Sequence, residues 1–388
     1  MSEMSDLLFR DIGELFDGPH ATPKRIDEGP YFLNISSLDA GRLDLSQSDH
    51  VSDEEFKKWT RRVTPQEDDL LFSYETRLGE AALMPGGVAA CLGRRMALLR
   101  PDRERIVPRF LLYYYLSPHF QDLIQQRQIQ GATVPRIGLA TMGEWPISIP
   151  SLENQRAISD VLGALDDKIA ANERVSSTLD NLIRFEYLSL KGEPVPLGGL
   201  AKNVRDQVKP EVVDGEAIYL GLEHLPREHF WVTGHGNTSE ITSAKSRFEE
   251  GDVLFGKLRP YFHKVVSAPF GGVCSTDVLV IRAMESDLAG LILAAVGSKE
   301  TVAAAVSSSE GTRMPRTSWK DLSDTSIRWP GRSVAESFSH EVQRRADLAA
   351  KLGAESRALA RARDELLPLL MSGKITVKDA EKVVSDVV

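Results

Sequence analysis

A repeat with an offset of 180 residues governs what this chain can fold into. Between Leu152 and Leu190, the residues Ile158, Leu162, Leu165, Ile169, Leu179 and Ile183 keep one 4-3-4 spacing, interrupted by Asn172 and Ser176. Adding 180 to the seam positions gives a second series: Phe338, Val342, Arg345, Ala349, Leu352, Ser356, Leu359, Arg363 and Leu366. The lead-in repeats as well. GATVPRIG at Gly131 matches GTRMPRTS at Gly311, and ISIP ending at Pro150 matches IRWP ending at Pro330. A seam returning every ~3.5 residues suits a helix packed lengthwise on another helix. A repeat held in register without a gap means that the architecture is built twice. Arg345 and Arg363 depart from the apolar pattern, so the second helix is expected to be wetter than the first.

The order predicted from this repeat is globular unit, long helix, globular unit, long helix, in an α+β fold. The boundaries fall at residues 1–150, 151–192, 193–330 and 331–388. In the first unit, DGPHATPKR reads as a loop, YFLNISSL as a strand, and SDEEFKKW as a short helix capped by Ser52. DDLLFSY and CLGRRMALLRP read as strands, and PRFLLYYYLSPHFQDLIQQRQ as a helix with its aromatics on a core. GEPVPLGG is a breaker-rich linker. The second unit replays the first, with GDVLFGKLRPYFHKV, GGVCSTDVLVIRA and LAGLILAAVGSKETVAAAV as counterparts. Pro368 and Gly373 are expected to end the second helix and leave a short tail.

A length of 388 residues allows two or three domains with sizeable cores. No apolar run approaches the ~20 residues that span a bilayer, and MSEMSDLLFRD lacks a signal-peptide pattern, so a cytoplasmic protein with no membrane partner is expected. Cys91 and Cys274 each follow a Gly-Gly pair and read as buried strand residues rather than a disulfide. The formal net charge of −9 argues against indiscriminate coating of nucleic acid but leaves room for local basic surfaces.

Catalytic patterns are missing. Gly251, Gly256 and Lys257 have phosphate-loop spacing, yet Leu258 stands where Ser or Thr must hold Mg²⁺. His224, His229 and His235 share no helix face and no Cys partner, and read as solvated loop positions rather than metal ligands. No nucleophile elbow and no carboxylate–lysine nuclease cluster is present. Basic and polar loops recur in both halves: His20, Thr22, Lys24, Arg25, Tyr74 and Arg77 in the first, and Lys257, Arg259, Tyr261, His263 and Lys264 in the second. Such side chains suit guanine edges and phosphates, so both clusters are candidate DNA-binding sites.

With DGPHATP, GDVLFGKLRPYFHKV, STDVLVIR, PISIPSLENQRAISDVLGALDDKI and ELLPLLMSGKITV in place, the chain resembles the specificity subunit of a type I restriction–modification enzyme. The resemblance covers nearly the whole length. It implies two target-recognition domains, each reading half of a bipartite, asymmetric site in double-stranded DNA. It implies that the two helices pair as an antiparallel coiled coil that binds two modification subunits. Restriction subunits join these, and S-adenosylmethionine, ATP and Mg²⁺ are expected in the partners, none in this chain. SVAESF stands at the second joint where the first has LENQRAI. A stand-alone DNA-modifying enzyme and a coiled-coil scaffold without DNA are the alternatives. The absent catalytic motifs weigh against the first, and the repeated basic loops weigh against the second.

Overall fold

The computed structural model of the chain describes residues 4–19, 21–129, 134–213, 217–238, 241–309 and 314–387. It divides into two compact units, Met1–Asp167 with Ala358–Val388, and Lys168–Arg357. The division passes through both long helices, Leu152–Ser189 and Arg332–Met371, so each unit holds one head and part of each helix.

In the first unit, strand Met4–Leu8 pairs antiparallel with Pro146–Pro150 and closes the head where the first long helix begins. The central antiparallel sheet runs in the order Gly13–Asp17, Met96–Pro101, Leu70–Ser73, Ala81–Leu83. A smaller sheet sets Arg25–Leu33 parallel to Ala90–Leu92. CLGRRMALLRP is therefore two strands, separated by a turn at Gly93–Arg95 and placed in different sheets. The aromatic helix also differs from the sequence expectation. It is broken into Pro108–Leu116 and Pro118–Arg127. Pro118 disfavours a helical Ser117, and the Ser117 hydroxyl caps the second piece by accepting from the Phe120 N–H at 3.4 Å. Phe9, Phe72, Tyr115 and Phe120 fill the core beneath.

The second unit repeats this plan. Glu193–Pro196 pairs with Ser326–Trp329, and the central sheet runs Ala201–Val204, Val278–Ala283, Val253–Gly256, Val265–Ser267. Ile218–Leu220 lies parallel to Gly272–Cys274. The apolar helix is again broken, into Ala289–Val296 and Lys299–Ser307, and the Ser298 hydroxyl accepts from the Thr301 N–H at 3.2 Å. Cys91 and Cys274 are buried strand residues whose thiols burial pushes up to about 12.

Each central sheet is tied by the same polar anchor. Buried Asp69 accepts from Arg100 at 3.0 and 2.7 Å and from the Gln66 N–H at 2.8 Å. Buried Asp252 accepts from Arg282 at 2.7 and 2.8 Å and from the Glu249 N–H at 2.8 Å. A carboxylate taken from water needs such a set of donors to stay charged.

The helix segments run antiparallel in each unit. In the first, Asp166 meets Arg363 at 2.7 Å, with Ile158, Leu162, Leu165, Leu359 and Leu366 buried. In the second, Glu186 meets Arg345 at 2.7 and 2.8 Å, with Ile169, Ile183, Phe338 and Val342 buried. Leu179 and Leu352 are half-buried. The Asn172 amide, also buried, donates to Glu355 at 2.7 Å and Ser356 at 3.3 Å. The second seam is the wetter one, as expected: Arg345, Leu352, Ser356 and Arg363 are only partly buried, against Ser176 and Leu179 on the first. Even so, the Arg345 side chain is only 15% exposed, because an acid on the facing helix satisfies it.

Two further corrections concern the C-terminal part. The second long helix continues through Pro368 to Met371, since one lost N–H this close to the end disturbs only the last turn. Gly373, at φ +66°, stops it: its N–H bonds Leu370 and that of Lys374 bonds Leu369, the double closure of a left-handed C-cap. The expected tail is an eleven-residue helix, Val377–Val387, opened by reciprocal Thr376–Asp379 capping.

Replacing Asp252 with Ala should leave Arg282 with Glu249 alone, strand the Glu249 N–H and cost roughly 2–4 kcal/mol. Hydrogen exchange should show Val253–Gly256 and Val278–Ala283 losing protection while Leu70–Ser73 keeps its own. Unchanged protection in the first two strands would mean that the anchor is dispensable.

Candidate nucleic-acid interface

The hairpin after Val253–Gly256 carries the basic cluster of the second head. Lys257 is pinned through its backbone, its N–H donating to Asp277 at 2.9 Å and its carbonyl accepting from Thr317 at 3.0 Å. Arg259 sits in the left-handed region at φ +52°, held by an N–H bond to the Pro315 carbonyl at 2.8 Å. A 3-10 turn, Pro260–Phe262, follows and leaves Tyr261 52% exposed. The ammonium of Lys257 and the guanidinium of Arg259 have no partner among the described residues, so both are available to an anion or a base edge.

The other two candidates of this cluster are turned inward, which corrects the expectation for them. His263 is 7% exposed, its Nε2 stands 2.9 Å from the Gly297 carbonyl, and burial lowers its pKa. The Lys264 ammonium donates to the Leu222 carbonyl, and burial lowers its pKa too. His263, at φ +50°, closes the 3-10 turn in the left-handed region, and Lys264 follows it just before the strand Val265–Ser267, so the turn geometry and not residue type directs both side chains.

In the first head, His20 lies outside the described residues. Thr22, Lys24 and Arg25 are exposed, with Arg25 paired to Asp49 at 2.9 Å. Two expectations are corrected. Tyr74 is 7% exposed and its hydroxyl donates to the Arg94 carbonyl at 2.7 Å. Arg77 donates to the Ile35 carbonyl at 2.9 Å and to Glu80 at 3.1 Å. These groups shape the head rather than face a ligand.

His235 is an exposed loop position, as expected, but the other two histidines are held by hydrogen bonds. His224 accepts from the Gly221 N–H through Nδ1 at 2.9 Å. His229 lies 2.6 Å from buried Asp180 on the first long helix, and this hydrogen bond raises its pKa. Arg184, a turn further on, donates to the Glu228 and Gly297 carbonyls, and Trp231 donates to the Ser176 carbonyl. The helix face Ser176–Asp180–Arg184 therefore fastens the second head. In the first unit, buried Gln155 of LENQRAI bonds Val107, Arg105 and Pro150. Its counterpart 180 residues on, Ala335, is buried with no polar group to offer.

Sequence reasoning missed a polar recess of about 360 Å³ around Lys257, lined by Asn203, Arg205, Gln207, Thr276 and Thr317 among others. These residues come from four separate stretches, so only the sheet order brings them together. Among the described residues, no group of three His, Cys, Asp or Glu stands close enough to hold a metal ion. No single described helix is long and apolar enough to cross a membrane.

Residues 12–181 match the family profile of the type I restriction modification DNA specificity domain. The chain is 24% identical over 293 residues to the MjaX type I restriction enzyme specificity subunit of Methanocaldococcus jannaschii, covering 72% of this chain and 66% of that one. It is 29% identical over 147 residues to the EcoDI specificity subunit of Escherichia coli, covering 37% and 32%. The matched stretch thus spans just under two thirds of the first relative and about a third of the second. The fold resembles the crystal structure of a type I restriction–modification S subunit from M. genitalium, at TM-score 0.56 and 15% identity over 95% of this chain and 96% of that one. Each unit holds one head of the same plan together with a stretch of both long helices. The family profile thus covers less than half of the chain, and the chain is similar to specificity subunits of type I restriction enzymes.

His263 and His229 give opposite pH dependences. The pKa of His263 is depressed, so its contribution to stability is present above the ordinary value of 6.5 and lost as pH falls through and below it. That of His229 is raised, so its contribution is full below 6.5 and lost as pH rises through the elevated value. Denaturant melts at pH 5.5 and 7.5 should show His263→Gln flattening the acid-side loss and His229→Gln losing more at pH 5.5 than at 7.5. Parallel pH profiles for both variants and the parent would contradict this placement.

Proposed function

We propose that the chain is the DNA sequence-specificity subunit of a type I restriction–modification complex. Each head reads one half of a bipartite, asymmetric site in double-stranded DNA. The paired helices set the interval between the halves and dock two modification subunits, which restriction subunits can join. Catalysis belongs to those partners, which bring S-adenosylmethionine for adenine N6 methylation and ATP with Mg²⁺ for restriction. The complex works in the cytoplasm, on the DNA it methylates or cuts.

The observation that carries this reading is a scaffold built twice around one anchor, Asp69–Arg100 and Asp252–Arg282, with different side chains presented outward. Two similar but unequal readers suit an asymmetric site. The first long helix is unbroken for 38 residues, about 57 Å at ~1.5 Å per residue. That length suits two readers about one DNA turn apart, roughly 34 Å.

Inserting four residues after Ala171 and four after Ser356 adds about one turn to each helix and keeps Asn172 beside Ser356. Each helix lengthens by roughly 6 Å. In cells making the complex, methylome sequencing should show adenine methylation at a two-part motif. The insertions should widen its gap by one or two base pairs, at ~3.4 Å each, with both halves unchanged. Methylation by the isolated chain, no motif in the complex, or an unaltered gap would each count against this function.

A further inference from the structure

The two heads can be aligned residue by residue through their backbone hydrogen bonds. The Tyr74 N–H donates to Arg95 at 3.2 Å and its carbonyl accepts from Ile137 at 2.8 Å, as Lys257 does with Asp277 at 2.9 Å and Thr317 at 3.0 Å. The turn closed by Met96 N–H to Gly93 at 3.1 Å matches that closed by Val278 N–H to Ser275 at 2.9 Å, which makes Arg94 equivalent to Thr276. Asp17 stands opposite Ala97. Arg205 follows Val204, which stands opposite Val280, and so holds the same place in its own sheet. Four positions are thereby paired: Asp17 with Arg205, Tyr74 with Lys257, Arg94 with Thr276, and Ile137 with Thr317.

Their chemistry differs at every pair. In the second head these positions border the 360 Å³ recess, together with the amides of Asn203 and Gln207 and with no carboxylate in its lining. The side chains of Asn203, Arg205, Gln207, Lys257 and Thr276 make no hydrogen bond or ion pair to any described residue. In the first head the Tyr74 ring packs inward, Ile137 is buried and Asp17 is held by Arg62. Arg94 is exposed there. A recess offering two amides, hydroxyls and two cations fits the donor and acceptor edges of a base beside a phosphate.

We infer that these four paired positions determine the specificity of the two heads. The recess around Lys257 reads base edges in one half-site. In the other head, where Tyr74 fills the equivalent space, Arg94 reads from the rim. This rests on the function proposed above and names the residues that carry it out.

The test uses the complex purified from its host through a tag on the full chain, incubated with a library of random-sequence DNA duplexes that are recovered and sequenced. If the parent complex enriches no two-part motif, the proposed function fails and this inference with it. Given a parent motif, Lys257→Ala and Thr276→Val should each lose roughly 10- to 100-fold discrimination at one or two positions of one half only. Arg94→Ala should do so in the other half only. Lys257→Gln, a milder change, should alter which base is preferred at the same positions. Lys257→Tyr, which rebuilds the plug of the first head, should erase that preference. Variants that melt with the parent yet enrich its motif unaltered, or change both halves at once, would overturn the inference while leaving the proposed function standing.

Discussion

Register between the two long helices is the constraint on which the rest depends. An apolar seam alone would tolerate sliding by a turn, because one leucine fits a neighbour's hole nearly as well as its own. The buried polar groups do not tolerate it. Asn172 finds acceptors only where Glu355 and Ser356 stand. Arg345 pairs with Glu186 across the helices, and Arg363 reaches Asp166 across them as well as Asp364 on its own helix. A slip leaves buried donors unmet, at about 1–3 kcal/mol for each neutral group and more for each charge. These contacts contribute less to stability than to the choice of one alignment.

The heads solve a different problem, which is to keep one framework while varying what it presents. The buried aspartate–arginine anchor and the apolar helix pair beneath the sheet are the same in both. Residues on the hairpin after the third sheet strand and on the turn before the second are free to differ, because their backbone bonds hold whatever the side chain is. Tyr74 and Lys257 show this directly: equivalent main-chain bonds, one ring in the core and one ammonium in an open recess.

The architecture was legible in the sequence because the repeat and the seam are periodic, and periodicity is what packing on a neighbour requires. The buried cysteines were legible for the same reason. The two helix breaks were not, since Ser117 and Ser298 act as caps inside runs whose apolar pattern barely pauses. Pro368 misled because a proline near a helix end costs little. The inward turn of Tyr74, His263 and Lys264 depends on the turns that flank the strands, where residue type gives no direction. The recess was invisible because its lining comes from segments more than a hundred residues apart.

The helix register can be tested most directly by a charge-exchange cycle at Glu186 and Arg345. Glu186→Arg and Arg345→Glu should each destabilise the full chain, and the double variant should recover much of the loss. Denaturation of all four proteins should then give a coupling energy of about 1 kcal/mol or more. A double variant no more stable than the sum of the single effects allows would contradict the antiparallel alignment on which this account stands.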